Sequence, residues 1–231
     1  MNVIVNEIAN SPLPTHRVAE PAILYFGTPV VLIGTTNADG SYNLSPMSSA
    51  WWLGDRCMLG LDRSSKTTEN MLRTRECVLN LPSADMVARV DKLARTTGTN
   101  PLPPAKAWRG YRFEKDKFGI AGLTPLKGDV VAAPRVAECP VNLEAKVEGL
   151  HEMAEDNPTI RGHLAAIEVR IARIHLDERI MMDGKANRID PDKWLPLIMS
   201  FQQFYQLAPG KLQRSELGQI SEETYRIPKQ A

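Results

Sequence analysis

Pro29-Val30-Val31-Leu32-Ile33-Gly34-Thr35-Thr36 opens the stretch on which the fold reading turns, and Cys77-Val78-Leu79-Asn80-Leu81-Pro82 closes it. The first run is apolar and β-branched, and it stops at Asn37-Ala38-Asp39-Gly40, where Asp-Gly supplies the positive φ of a tight hairpin turn. Ser41 to Ser45 then returns, and Pro46, lacking an N–H, is expected to end the ladder. Cys57-Met58-Leu59-Gly60-Leu61 reads as a third strand and Cys77 to Leu81 as a fourth.

Two polar loops break this apolar frame. Asp62-Arg63-Ser64-Ser65-Lys66-Thr67-Thr68-Glu69-Asn70 runs into an expected helix over Thr68 to Arg75. Several hydroxyls, an ammonium and the free N–H groups of a helix start together suit a phosphate. Ser45-Pro46-Met47-Ser48-Ser49 carries no charge, so it offers mainly backbone hydrogen bonds beside a fixed turn. A phosphate clamp beside an uncharged cradle points to a phosphorylated, planar cofactor.

These segments resemble the flavin reductase-like, FMN-binding split-barrel family. The resemblance rests on Asn43-Leu44-Ser45-Pro46-Met47-Ser48, Thr67-Thr68-Glu69-Asn70 and Val78-Leu79-Asn80, in that order. Phe118-Gly119-Ile120-Ala121-Gly122-Leu123-Thr124-Pro125 and Ala133-Pro134-Arg135-Val136-Ala137-Glu138-Cys139-Pro140 follow. It covers about residues 20 to 180. The related pyridoxamine-phosphate-oxidase-like split barrels also use FMN, but the Ala-Gly-Leu-Thr and Glu-Cys-Pro segments look more like the flavin reductase branch.

The resemblance implies a noncovalent FMN (or FAD), NAD(P)H as electron donor, a homodimer and a partner oxygenase that consumes reduced flavin. It implies cofactor contacts from Asn43, Ser45, Pro46, Met47, Ser48, Ser49, Arg63, Ser64, Ser65, Lys66, Thr67 and Asn80. Relatives carry the basic residue two positions before the Thr, where this chain has Ser65. The phosphate then falls to Lys66 from another angle, or Arg63 shares it. His163, in Arg161-Gly162-His163, matches a Gly-Asp-His segment of relatives with the Asp displaced, and is the one catalytic candidate. Taken on the residues alone, Asn43 and Asn80 can equally bond strand-end backbone, and His163 can be an ordinary loop histidine.

The chain has 231 residues, 43% of them hydrophobic, enough for one sizeable core. Its 28 basic and 27 acidic residues leave a net charge of +1, which argues against nucleic-acid binding. Cys57, Cys77 and Cys139 show no metal or redox spacing and read as reduced, buried thiols. His16, His151, His163 and His175 lack metal spacing, and neither a Gly-x-Ser-x-Gly elbow nor a Gly-x-Gly-x-x-Gly fingerprint occurs. No run reaches the ~20 apolar residues of a membrane helix, and no signal pattern opens the chain, so a cytoplasmic location is expected.

Residues 1–20 are expected to form an arm, 21–180 the barrel, and 181–231 a helical extension packed on the barrel or on a second subunit. Trp51 and Trp52, adjacent on a strand, must face opposite sides. Ser83 to Arg95 is read as an amphipathic helix through Met86, Val90 and Leu93, and Thr96 to Pro104 as a loop. Residues 105–118 interleave Lys106, Arg109, Arg112, Lys115 and Lys117 with Trp108, Tyr111 and Phe113. They are either a solvated face or a surface for a nucleotide's phosphate and base. Val130 to Ala133, Val141 to Val147 and Ala165 to His175 are read as further strands. Asp190-Pro191 is read as a helix start, with Trp194, Leu197, Ile198, Phe201 and Tyr205 on one stripe. The fold expected is mainly β: a six- to seven-stranded antiparallel Greek-key split barrel with a few peripheral helices.

Without the family, two other readings fit: a flavin-binding electron carrier without nicotinamide turnover, and a dimeric barrel with an interaction role and no cofactor.

Overall fold

In a computed structural model, described here for residues 13–208 and 210–227, an antiparallel seven-stranded sheet dominates. Strand β1 (Phe26–Pro29) precedes β2 (Val31–Thr36), β3 (Tyr42–Met47), β4 (Ala50–Leu53) and β5 (Arg56–Asp62). Helix α1 (Lys66–Thr74) leads to β6 (Glu76–Leu81), and short helices α2 (Val87–Asp91), α3 (Pro104–Trp108) and α4 (Lys117–Ala121) follow. Two-residue strands β7 (Thr96–Thr97), β8 (Arg112–Phe113), β9 (Pro125–Leu126) and β10 (Arg135–Val136) punctuate this excursion. The long pair β11 (Val141–Glu152) and β12 (Leu164–Leu176) and the hairpin β13 (Leu197–Ser200) to β14 (Gln203–Gln206) complete the set.

The large sheet runs β3-β2-β6-β11-β12-β5-β4. Its two edge strands, β3 and β4, are consecutive in the chain and joined by Ser48 and Ser49 alone. Three Cα–Cα steps from Met47 to Ala50 span at most about 11 Å, so the edges must curl toward each other. They do not hydrogen-bond as a ladder, and the gap is the split of the barrel.

Alternation fills the inside. Val31, Ile33, Cys57, Leu59, Cys77, Leu79, Leu143, Ala145, Ile167 and Val169 form one buried cluster. The opposite face of β2 and β3 is buried too, because Leu32 and Leu44 pack with Met86, Val90, Leu93, Phe118 and Leu123 of the 83–139 excursion. All three cysteines are free and buried, and burial pushes the Cys57 thiol up to about 12, so they are packing groups. Trp52 packs on the inner cluster while Trp51 is exposed, as strand alternation requires. Among the described residues, no helix is long and apolar enough to cross a membrane.

Several expectations need correction. The β3 ladder passes through Pro46, which pairs opposite Leu32, because an edge strand has an outer row of N–H groups that need no partner. Ser83 to Arg95 holds a 3-10 turn at Ala84–Met86 and the five-residue α2, although the Met86, Val90 and Leu93 stripe is buried. Val130 to Ala133 is a turn whose N–H groups bond to carboxylates, so it has no ladder to join.

The helical extension is also corrected. Asp190 starts only a single turn, and β13 and β14 then form a hairpin that pairs with β1. Pro196 cannot continue a helix from that turn. The hairpin turns on Phe201 and Gln202, both at positive φ (45° and 65°). Residues 13–20 of the expected arm are exposed, and residues 1–12 lie outside the described part, as do 209 and 228–231 of the C-terminal segment.

Candidate functional site

The β2–β3 hairpin and the start of α1 are tied by a closed polar network. Asn43 Nδ2 donates to Thr35 Oγ1 and to Thr67 Oγ1, each at 3.2 Å. Asn70 Nδ2 donates to the same Thr35 oxygen at 3.1 Å and to Asn37 Oδ1 at 2.8 Å. Asn43, Thr67 and Asn70 are almost fully buried, so the Thr-x-x-Asn segment fixes where α1 begins.

The loop before α1 shapes itself in the same way. Ser65 is the N-cap, its oxygen accepting from Thr68 N–H at 3.1 Å, and the Ser64 N–H and hydroxyl both donate to Asp62 Oδ1. These serines therefore present backbone to a ligand, with the N–H groups of Lys66 and Thr67 as unclaimed first-turn donors among the described residues.

The expected cations are already neutralised. Lys66 Nζ lies 2.6 and 2.8 Å from the Glu69 carboxylate oxygens, and Arg63 is paired with Glu152. Lys106 lies near the same loop, and Lys117 lies within the field of Lys106. Lys106 Nζ reaches Thr97 Oγ1 at 3.4 Å and lies within the field of Asp62. Lys117 is 3% exposed and makes no hydrogen bond or ion pair among the described residues. Desolvation, then the neighbouring Lys106 charge, brings its ammonium down to about 8, against a partial pull from Glu114.

Gly98 closes this corner. A Cβ there would stand 2.7 Å from Asn43 Oδ1 and 3.1 Å from Lys66 Cγ, so only glycine lets the 96–99 segment lie on the loop. Asn43 Oδ1 and Thr99 Oγ1 are buried without a partner among the described residues. A phosphate fits this donor set: two lysines without a carboxylate partner, two helix-start N–H groups and an unused hydroxyl.

The uncharged loop borders the split. Ser45, Met47, Ser48 and Ser49 are half-buried; Met47 packs on the inner core. Ser49 is held by Gly60 N–H on its carbonyl at 2.8 Å and by the Tyr25 hydroxyl on Oγ at 2.7 Å. The Ser45 and Ser48 hydroxyls have no partner among the described residues.

Asn80 belongs elsewhere. It is fully buried, donates to Leu32 O at 2.9 Å, and accepts from Val136 N–H at 2.9 Å and Asn142 Nδ2 at 3.0 Å. It fastens the 133–140 segment to β6 and has nothing to give a ligand, so its cofactor role is withdrawn. The His163 ring is exposed, and its carbonyl accepts from Arg63 N–H at 2.9 Å, which sets the β11–β12 turn against the phosphate loop. Gly98 gave no sign of this role in the sequence, and Lys106 and Lys117 stood out only as members of the mixed basic and aromatic stretch over 105–118.

The flavin reductase-like domain model matches residues 23–207. The chain belongs to that family. It is 38% identical over 206 residues to the uncharacterized protein YdfE of Bacillus subtilis (strain 168), covering 87% of this chain and 96% of that one. Flavoredoxin of Desulfovibrio vulgaris (Miyazaki F) superposes with a TM-score of 0.69 at 21% identity, over 89% of this chain and all of that one. Nitrilotriacetate monooxygenase component B from Bacillus cereus gives 0.63 at 20% identity, over 82% and 88%. The expected split-barrel fold stands, and family membership carries a flavin-related oxidoreductase function.

Proposed function

We propose that the chain binds FMN in the split and accepts hydride for it from NAD(P)H as a homodimeric flavin reductase. The observation that carries the reading is Lys106, which has no carboxylate ion pair among the described residues beside the loop before α1, with the buried Lys117 within its field. Burying an uncompensated ammonium is costly unless an anion completes it. The flavin phosphate does so, with the N–H groups of Lys66 and Thr67 beneath and Thr99 Oγ1 beside it.

Ser45 to Ser49 would hold the ring's polar edge, through backbone atoms and the Ser45 and Ser48 hydroxyls, which have no partner among the described residues. When bound, the flavin supplies the hydride-accepting centre, and the protein supplies position and electrostatics. The Tyr25 and Gly60 bonds hold Ser49 rigid, which keeps that edge in one place. No described acid–base pair converges on this cradle, in keeping with hydride transfer. His163 stands at its rim as a residue that can orient a donor.

Trp51 and Leu53, 58% and 74% exposed on edge strand β4, support a subunit contact beside the split. The three free cysteines suit the cytoplasm, and the likeness to a monooxygenase component supports an oxygenase as consumer of reduced flavin. The likeness to flavoredoxin favours a second reading, an electron carrier with the same cofactor site.

An absorbance spectrum with added FMN, followed by anaerobic NADH and NADPH, separates these. Bands near ~450 nm that bleach with either donor establish the reductase. Bands that bleach only with dithionite establish the carrier, and no FMN uptake rejects both.

A further inference from the structure

Residues 92–117 hold seven lysines and arginines against Glu114 and Asp116, a net +5 in a chain whose total is +1. Among the described residues none of these seven cations forms an ion pair, whereas most arginines elsewhere do. They crowd one another instead: Arg109 acts on Lys106 and Lys106 on Lys117, with Asp62 and Glu114 as partial counterweights, and Arg95 Nη1 lies against residue 110. Like charges gathered without partners cost stability unless something anionic binds.

The tip of this segment is built. Strands β7 and β8 pair at its base, and α3 is closed by Gly110 N–H to Ala107 O at 2.9 Å and Tyr111 N–H to Lys106 O at 3.0 Å. On that closed tip Trp108 is 88% exposed, two residues from Lys106 and next to Arg109. An indole presented to water from a hydrogen-bonded turn, beside cations, has the chemistry of a base-stacking platform with a phosphate grip.

We propose that the 92–117 segment is an adenosine-phosphate subsite. Trp108 stacks on the adenine, Arg109 and Arg112 hold the phosphate, and Lys106 joins this subsite to the flavin-phosphate corner. Two sources carry this group: the adenylate half of FAD, and that of the nicotinamide donor. The inference rests on the flavin reading above for what lies at its inner end, but adenylate recognition at the tip stands on its own residues.

The test is calorimetric titration of ADP into the flavin-free protein and into Trp108→Ala and the double variant Arg109→Ala with Arg112→Ala, all surface changes. ADP is expected to bind the wild type and to bind each variant about tenfold more weakly, with Trp108→Phe restoring most of the loss. FAD, FMN and NADH then distinguish the sources. A weakened FAD relative to FMN assigns the subsite to the flavin. A raised KM for NADH at unchanged kcat, with the FAD to FMN ratio intact, assigns it to the donor.

Failure of ADP to bind, equal binding by all variants, or equal competition by inorganic phosphate overturns the subsite. FMN uptake in the wild type is scored in parallel. ADP binding without FMN uptake would sink the flavin reading alone, and FMN uptake without ADP binding would sink the subsite alone.

Discussion

Glu144 and Lys117 are both buried charges, and the chain treats them in opposite ways. Glu144 is fully buried on β11, yet its oxygens accept from the N–H groups of Asp129, Val130 and Val131 at 2.9, 2.7 and 3.1 Å, and from His175 Nε2 at 2.6 Å. Its pKa is lowered, since those bonds outweigh the desolvation that opposes them. Lys117 is 3% exposed and has no hydrogen-bond or ion-pair partner among the described residues. A buried charge that the fold completes is a brace; one that it leaves open is the shape of a ligand. The Asp129, Glu144 and His175 grouping therefore carries no metal argument, because the central carboxylate is already spent on backbone donors.

The comparison breaks most visibly at Glu144. Glu144→Ala leaves three backbone N–H groups without an acceptor, and the loss is expected to be about 3–5 kcal/mol by urea unfolding. The FMN affinity of the molecules that remain folded should not change. A loss of affinity equal to that of a phosphate-site variant would show that the two buried charges are one system.

Lys117→Met should act in reverse. The flavin-free protein is expected to gain on the order of 1–3 kcal/mol from removing an unpaired buried ammonium. FMN affinity should fall about 10- to 100-fold, the worth of a charge-assisted bond to phosphate. A variant that loses both stability and affinity would make Lys117 an ordinary structural lysine.

The strands were readable because the chemistry that makes them is local. Continuous apolar runs mark β2, β5 and β6, period-two alternation marks β11 and β12, and Asp39-Gly40 marks the first turn through Gly40 at φ 81°. The β13–β14 hairpin was not readable, since its positive-φ turn is made by Phe201 and Gln202, without the usual Gly or Asn. Trp194, Leu197, Ile198 and Phe201 happen to keep helical spacing across it.

At the candidate site, the structure brings Asn43, Thr67 and Lys66 of the two motifs together in one corner. What each does there depends on partners distant in sequence: Thr35 and Asn70 for the network, Glu69 for the lysine. Lys117 showed locally only as one of the cations clustered over 105–118, with nothing to mark it as buried. Its burial belongs to the tertiary structure, because the helix it opens packs against β3 through Phe118.

Titration sharpens the same contrast more gently. Lys117 ionises in the folded chain at about 8 against 10.5 for an ordinary lysine. Between those values the unfolded chain binds more protons, so stability of the flavin-free protein should rise with pH through that window. Phosphate favours the charged ammonium, so FMN affinity should fall above pH 8, by at most about tenfold per unit. Lys117→Met should flatten both slopes, and Lys106, the other cation facing it, should add only a weaker dependence.

The smallest effect expected is at Gly98, where backbone lies on the Asn43 amide. Gly98→Ala places a methyl against Asn43 Oδ1 and Lys66, and should cost about 1–2 kcal/mol with a few-fold loss of FMN affinity. Two causes are possible for that affinity loss, and a double-mutant cycle with Asn43→Ala separates them. If the methyl acts only by striking the amide, both losses should shrink once the amide is gone. If it acts by lifting Thr97, Thr99 and with them Lys106 away from the first turn of α1, the stability cost shrinks while the affinity loss remains. The second pattern is expected, because the lysines that complete the phosphate corner are carried on the segment that Gly98 lets down.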